Sequence, residues 1–404
     1  MGPVLQRRVS APPRLRLALA AAAALFGAAA RGSDSTVHLP PTRPGAPSAP
    51  PALAPPPAGA PHWRPSLRLT DVDYVEITEI AVGLGCKGTW LEPRRRLKLV
   101  SKSDPATTLE LEAEKRQVLV DGLRLDLGHP VVYRGSHLYV SRTDLEHVLV
   151  ALLQPAAAPD PPPAPRVIVI DPGHGGDDPG MENKRLGLQE KTLTLDVSLR
   201  LQKLLEAAGY RVVLTRSDAR ALSADKKKDL LLRAEVANRA GADLFVSVHF
   251  NSLYPDTKTS GTEIFVYTPP GERSSESWGF AKPDDSRRDA EPVNRHDAWS
   301  AVLAQSLHRE VIGRLHTVDR GLKTKHLLAF QDLNCPAALV ESVFLSNEIE
   351  ARKAATPAFR QQIAEALAAG IADYAATVGR LPGPALERAD PGAPGRDGSP
   401  PPAR

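Results

Sequence analysis

Cysteine is almost missing from this chain: 404 residues carry two, Cys86 and Cys335. They fall in separate folded pieces of the organisation read below, which argues against a disulfide framework even in an oxidising compartment. Cys335 stands before Pro336 with no dedicated base beside it, so a buried structural thiol is expected there and not a nucleophile. A surplus of one charge is missing as well. The first thirty residues hold Arg7, Arg8, Arg14 and Arg16 and no acid, and without these four the 51 bases fall to 47, against 47 acids. A balanced chain offers no electrostatic reason to bind nucleic acid or an anionic membrane surface. Long apolar runs are missing too. The run over 17–30 is shorter than the roughly 20 residues a spanning helix needs, and no other stretch is apolar enough, so stable membrane insertion is not expected.

What the N-terminus does have is a basic start, a short apolar stretch and an Ala-rich end before Arg31, the three parts of a secretory signal peptide. Residues 1–30 are therefore expected to be a cleaved leader that exports the protein to a periplasm, a cell wall or the extracellular space. Arg7-Arg8 leaves both the general and the twin-arginine route open. Proline, alanine and glycine dominate 40–65, 155–165 and 382–402, a composition of extended linkers and tails. The expected organisation is a leader over 1–30, a linker over 31–65, a small α+β domain over 66–154, a second linker over 155–165, a larger domain over 166–380 and a disordered tail over 381–404. In the small domain, VLVDGLRLDL at 118–127 reads as a hairpin about Asp121-Gly122, the strong short-range hairpin signal. Another strand pair is expected about Arg134-Gly135, then a helix over 143–153 capped by Thr143.

The larger domain alternates strands and helices. Strands are expected at VIVI (from Val167), YRVVLTR (from Tyr210), LFVSV (from Leu244), TEIFVYT (from Thr262) and ALVESVF (from Ala338), with helices over 193–208, 229–240, 298–315 and 357–378. This is the pattern of an α/β fold, a mostly parallel sheet flanked by helices on both faces. In such sheets ligands bind outside the carboxyl ends of the strands. Three apolar runs deliver polar groups there: VIVIDPGHGG (167–176) carries His174, LFVSVHFN (244–251) carries His249, and ALVESVFLSN (338–347) carries Glu341. Glu190 opens the helix that starts at about Lys191 and can project into the same end. Two imidazoles and a carboxylate are the ligand types of a catalytic zinc, with a fourth position left for water, so His174, Glu190 and His249 are candidate ligands for Zn2+. Taken singly, Glu190 also reads as an acid well placed at a helix N-terminus, and His249 as a hydrogen-bonded core histidine. Ser247 and Asn251, flanking His249, are expected to cap the strand end.

In these motifs the chain resembles the zinc-dependent N-acetylmuramoyl-L-alanine amidases of the type-3 class, which cut peptide stems from peptidoglycan. The resemblance covers 167 to about 374. It rests on DPGHGG (171–176), Glu190-Lys191 before the helix, LTRSD (214–218), ADLFVSVHFNS (242–252), DRGLK (319–323) and PAALVESVFLSN (336–347). It implies zinc on His174, Glu190 and His249 and a catalytic glutamate at Glu341. Zinc lowers the pKa of water and polarises a carbonyl, and a glutamate beside it can take a proton from the attacking water and return it to the leaving amine. The implied bond is the amide between the lactyl group of N-acetylmuramic acid and L-alanine, peptidoglycan being the macromolecular partner; an activator protein is a second partner the resemblance admits. The smaller domain resembles the copper amine oxidase N-terminal-like domain found beside wall enzymes, which implies a structural or wall-targeting role.

Two other classes stay open on the sequence. Another zinc peptidase or carboxypeptidase acting on wall peptides would want a cationic pocket for a free carboxylate, and no arginine is uniquely placed to supply it. A non-catalytic wall-binding protein would have no use for three metal-ligand types together with Glu341. The polar stretch over 269–297 is long for a connection in a compact domain. Its Arg, Asp and Asn residues and Trp278 suit a loop that contacts glycan or peptide better than a dry plug over the site. His296, at its end, is expected to be a solvated loop residue and not a fourth ligand.

Overall fold

The computed structural model describes residues 63–275 and 288–381. The leader expected over 1–30, residues 31–62 of the first linker, residues 276–287 of the polar stretch with Trp278, and the tail from 382 lie outside the described residues. Among the described residues no helix is long and apolar enough to cross a membrane.

The first part of the chain is a run of short strands: β1 (Leu67–Leu69), β2 (Val72–Glu76), then helix α1 (Ile77–Gly83), β3 (Cys86–Glu92), β4 (Arg96–Ser101), β5 (Thr108–Glu112), β6 (Gln117–Val120), β7 (Leu123–Asp126), β8 (Val132–Arg134) and β9 (His137–Ser141). Their apolar residues alternate, as a half-buried antiparallel strand requires: Leu97 and Leu99 in β4 and Leu109 and Leu111 in β5 point inward. The hairpin expected about Asp121-Gly122 is β6–β7, with both turn residues at positive φ, 53° and 81°, the backbone a type I′ turn demands. The helix after β9 starts at Arg142, because the Ser141 hydroxyl, and not Thr143, accepts the Asp144 backbone N–H. It runs as α2 (Arg142–Asp144), a π-helical turn (Leu145–Leu149) and α3 (Val150–Leu153).

The second part is the expected α/β architecture. It comprises β10 (Val167–Pro172), a two-stranded ribbon β11 (Glu182–Asn183) and β12 (Leu188–Gln189), α4 (Glu190–Ala207), β13 (Arg211–Leu214), α5 (Lys226–Ala240), β14 (Leu244–Asn251), β15 (Thr262–Tyr267), α6 (Asp297–Leu315), β16 (Asp319–Lys325), β17 (Ala337–Phe344), α7 (Glu348–Ala355) and α8 (Pro357–Gly379). The strands β13, β10, β14 and β17 lie side by side and parallel. Their near-continuous apolar sequences are those of strands covered on both faces, and Ile168, Val169, Ile170, Phe245 and Val246 are fully buried. Beyond β17 the sheet turns mixed. β15 runs antiparallel to β17 and parallel to β16. The helices α4, α6 and α8 cover one face, while Ala234 and Ala237 of α5 pack with Val169, Phe245 and Phe265 on the other.

The two parts share one sheet and one core. Leu322 in β16 pairs in parallel with Leu125 in β7, so the order β13-β10-β14-β17-β15-β16 continues through β7-β6-β5-β4-β3. The helix α6 is buried at each position from Asp297 to His308, polar Gln305 and His308 included. It meets α8 and the sheet on one side and α3 with the π-helical turn on the other. Polar ties follow the same seam. Gln305 donates to the Val120 carbonyl (3.1 Å), Trp299 Nε1 donates to the Pro159 carbonyl (2.8 Å), and the Arg124 N–H donates to Asp319 (2.8 Å).

Candidate metal centre

The histidine of DPGHGG owes its position to backbone that few residues could adopt. His174 itself has φ +63°, a conformation costly for a residue with a Cβ. Its neighbours make room: a Cβ on Gly173 would lie 2.2 Å from the His249 ring, and one on Gly180 would lie 2.6 Å from both Glu190 Oε2 and His174 Cδ2. Two arginines clamp this backbone. Arg216 donates to the carbonyls of Pro172 (3.0 Å), Gly173 (2.8 Å) and Lys191 (2.8 Å), and Arg233 donates to those of Pro172 (3.0 Å) and His174 (2.9 Å). Burial, with the charge of Arg233 next to it, brings the Arg216 guanidinium down to about 10.

Beneath them lies Asp171, buried, accepting from Arg233 (2.7 Å), Thr215 (2.6 Å) and Ser247 (2.7 Å). Burial opposes its ionisation, yet Arg233 and the two hydroxyls outweigh burial and hold the carboxyl below its ordinary value. The Thr-Arg of LTRSD and the serine before His249 thereby acquire a task in the structure, which is to fix the loop that presents His174. Ser247 does not cap a strand end; it is a donor to this carboxylate.

At the carboxyl ends of β10 and β14 the three expected ligands converge. Glu190, the first residue of α4, faces both rings: His174 Nε2 lies 3.0 Å from its Oε2 and His249 Nδ1 lies 3.0 Å from its Oε1. Backbone N–H groups of Met181 (2.8 Å) and Phe250 (3.0 Å) donate to the same two oxygens. One ligand atom from each of the three residues falls within 4.8 Å of the others. Burial opposes charge on Glu190, but the two imidazoles overcome it and hold the carboxyl far below the usual range. His174 shows the converse: burial disfavours its charge, and Glu190 and Asp178 raise its pKa nonetheless.

This donor set fits a zinc ion. Zinc takes two imidazole nitrogens and a carboxylate oxygen with a fourth position left open, and one such atom from each of the three residues lies within 4.8 Å of the others. A carboxylate on the outer nitrogen of a ligating imidazole fixes its tautomer, and Asp178 Oδ2 lies 3.0 Å from His174 Nδ1. Asp178 was not among the residues expected from sequence; the signal for it was an acid four positions after the histidine.

Glu341 lies on β17 in direct register with His249 across the parallel pair and with Glu263 across the antiparallel pair. It is half-buried. Asn251 donates to Glu263 (2.9 Å). His296 lies in the turn ahead of α6, outside the metal-ligating group. Both cysteines are free and buried, and burial pushes the Cys335 thiol up to about 12.

Comparison with known proteins matches residues 168–373 to the N-acetylmuramoyl-L-alanine amidase family. The chain belongs to that family. Among individual amidases, it is 32% identical over 210 residues to an uncharacterized cell wall amidase of Bacillus anthracis, an alignment covering 52% of this chain and 35% of that protein. It is also 32% identical over 206 residues to the sporulation-specific N-acetylmuramoyl-L-alanine amidase of Bacillus subtilis, covering 50% of this chain and 66% of the relative. The chain thus spans between about a third and two thirds of the length of these two relatives. A solved structure, the N-acetylmuramoyl-L-alanine amidase of Clostridium difficile 630, is 27% identical and aligns with 52% of this chain and 97% of its own, at a TM-score of 0.42. The family match contains His174, Glu190, His249 and Glu341. It begins after the small β-rich part, which the family search does not identify.

Proposed function

We propose that this chain is a zinc-dependent peptidoglycan hydrolase that cleaves the amide between the lactyl group of N-acetylmuramic acid and L-alanine of the stem peptide. The observation that carries this reading is the convergence of His174, Glu190 and His249 within 4.8 Å, with Glu341 in register beside His249, all inside the amidase match. His174, Glu190 and His249 would hold the ion. When bound, zinc supplies Lewis acidity, acidifying water and polarising the substrate carbonyl.

The remaining work falls to the chain's own groups. Glu341 takes one proton of the attacking water and delivers it to the departing nitrogen of L-alanine, so that a neutral amine and the lactyl carboxylic acid form; the acid then gives up its remaining proton, which the free amine takes up. Asp178 orients the His174 ring, and the Asp171–Arg233–Arg216 network keeps the Pro172–His174 backbone in its strained shape. The leader over 1–30 would export the enzyme to a periplasm or wall, where an activator protein would be a second partner. The small domain over 66–154, similar to the copper amine oxidase N-terminal-like domain, would serve wall targeting or structure, and 166–380 is the catalytic domain.

The test is mass analysis of purified peptidoglycan after incubation with the zinc-loaded protein. Release of intact stem peptides beginning with L-alanine, with the glycan left unsubstituted, is the expected result. Loss of a single C-terminal residue from the stems would assign a carboxypeptidase instead, and unchanged masses would leave only wall binding.

A further inference from the structure

The end of the sheet that carries the metal centre also carries the exposed apolar side chains of the catalytic part. Among its described residues these are Leu253, Tyr254, Val318 and Ile349. Leu253 and Tyr254 follow β14, and Ile349 lies in the first turn of α7, just after β17. Val318 precedes β16; its carbonyl accepts the Thr262 N–H (2.9 Å), and the Thr262 hydroxyl donates to the Ser342 carbonyl of β17 (2.8 Å). Single exposed apolar residues need no explanation, but their gathering at one functional end marks a surface that meets a ligand.

A cleft of about 530 Å³ opens at this end, within the size range of ligand sites. It is lined by residues 182–185 of the β11–β12 ribbon, by Tyr254 and Thr257 after β14, and by Ser346 and Glu348 after β17. Each lining segment runs directly into the metal centre. Just ahead of the ribbon, the Met181 N–H donates to Glu190 (2.8 Å). Tyr254 stands five residues after His249, a chain length that spans at most about 18 Å. The segments are also tied to one another: Asn183 donates to the Leu345 carbonyl (3.0 Å), the Leu345 N–H to the Asn251 carbonyl (2.8 Å), and the Leu253 N–H to Ser346 Oγ (3.1 Å).

The lining selects among the parts of a wall substrate. Its charges balance, Lys184 and Arg185 against Glu182 and Glu348, and Arg185 pairs with Glu348 at 3.5 Å. An acidic peptide would call for a cationic surplus, which this lining does not provide. Its apolar element is Tyr254, 56% exposed, an aromatic ring with a polar tip. The C–H face of a pyranose lies flat on such a ring, while mixed charged and hydroxyl side chains meet ring hydroxyls and acetamides. A neutral sugar suits all of these features together.

We propose that this cleft is a glycan subsite of the amidase, in which Tyr254 stacks on a sugar of the strand that bears the scissile lactyl amide. The inference rests on the amidase reading of the metal centre and adds the direction in which the glycan leaves it. Tyr254 becomes a specificity-determining residue: it favours a stem peptide still carried on glycan over the same peptide bearing a lactoyl group alone.

Two measurements on the zinc-loaded full chain test it. The first is calorimetric titration with a stem-free tetrasaccharide of alternating N-acetylglucosamine and N-acetylmuramic acid, which needs no turnover. Saturable binding by the parent is expected, weakened about tenfold in Tyr254→Ala, the worth of one good aromatic contact, and retained in Tyr254→Phe, which keeps the ring. The second compares hydrolysis of a stem peptide carried on that tetrasaccharide with hydrolysis of the same peptide bearing only a lactoyl group. The ratio of the two kcat/KM values should fall about tenfold in Tyr254→Ala. No saturable binding by the parent, or equal binding by parent and Tyr254→Ala, overturns the subsite. An equal fractional loss on both substrates overturns it as well and gives the cleft to the peptide. A parent that binds the tetrasaccharide through Tyr254 and hydrolyses neither substrate overturns the amidase reading and leaves the glycan site standing. Should Tyr254→Ala fail to fold, Tyr254→Leu keeps apolar bulk without a ring face; the same weakening is expected, and parent-like binding refutes stacking.

Discussion

Asp178 Oδ2 lies 3.0 Å from His174 Nδ1, while Nε2 of the same ring lies 3.0 Å from Glu190. One imidazole is thereby spanned by two carboxylates, one deep in the candidate metal centre and one behind it. The outer carboxylate also accepts the Gly180 N–H (3.1 Å) and pairs with Lys226 (3.1 Å), so its own orientation is set. Removal of such outer partners lowers metal affinity about 10- to 100-fold. Asp178→Ala should therefore fold, bind zinc and lose it to a chelator at proportionately lower concentration. An unchanged zinc affinity would reduce Asp178 to a loop staple.

The ligands themselves should respond more severely. His174→Ala or His249→Ala leaves two donors where a three-ligand site with an open position is expected, so zinc and hydrolysis should disappear together. Stoichiometric zinc in purified His174→Ala would sink the ligand assignment. Metal analysis decides the question without recourse to activity.

Glu341→Gln separates proton transfer from metal binding. The substitution keeps shape on β17 and removes no ligand, so a folded, zinc-loaded protein is expected, slower by about 10²- to 10⁴-fold, the usual contribution of a general acid–base group. Turnover near that of the parent would remove Glu341 from the reaction.

That His174, Glu190 and His249 come together was legible in the sequence because each is placed locally. Each candidate ligand sits at the end of an apolar strand or the start of a helix, and the order of elements alone brings such ends together. Asp178, Asp171, Arg216 and Arg233 were not legible as a network, since their partners are backbone carbonyls and hydroxyls set by tertiary packing. The strand β16 was not expected because DRGLKTK carries one large apolar residue, Leu322; its other positions gain their place by pairing with β15 and by holding Glu263. Nor did periodicity show that the small β-rich part and the catalytic part would share a core. That follows from α6, whose polar residues Gln305 and His308 are buried against elements remote in sequence. A fragment starting at Ala164 would keep every proposed ligand and strip one side of α6 of its cover.

The same seam predicts a pH dependence. His147 Nδ1 in the π-helical turn lies 2.8 Å from Asp297 Oδ2 at the start of α6. Burial pulls the His147 pKa down, but the hydrogen bond and charge of Asp297, with Glu146 and Asp144 adding in the same sense, raise it above 6.5 overall. Burial raises the Asp297 carboxyl against the lowering by His147 and Asn294. In both cases the folded protein binds the proton more tightly than the unfolded chain, so the contribution to stability is present at low pH and lost as pH rises through the folded value. The carboxyls of Asp171 and Asp178 have the opposite sign: their pKa values are lowered, to about 2 for Asp178, and their contribution is lost only on acidification below the ordinary carboxyl range. The thermal midpoint of zinc-saturated protein should therefore decline from about pH 6.5 upward, where His147 is the one of these groups whose ordinary range is entered. His147→Gln should be less stable at pH 6.5 and should flatten that decline. A parent profile that stays level to pH 8, or a variant that declines as steeply as the parent, would show that this pair does not carry the proton linkage between the two parts.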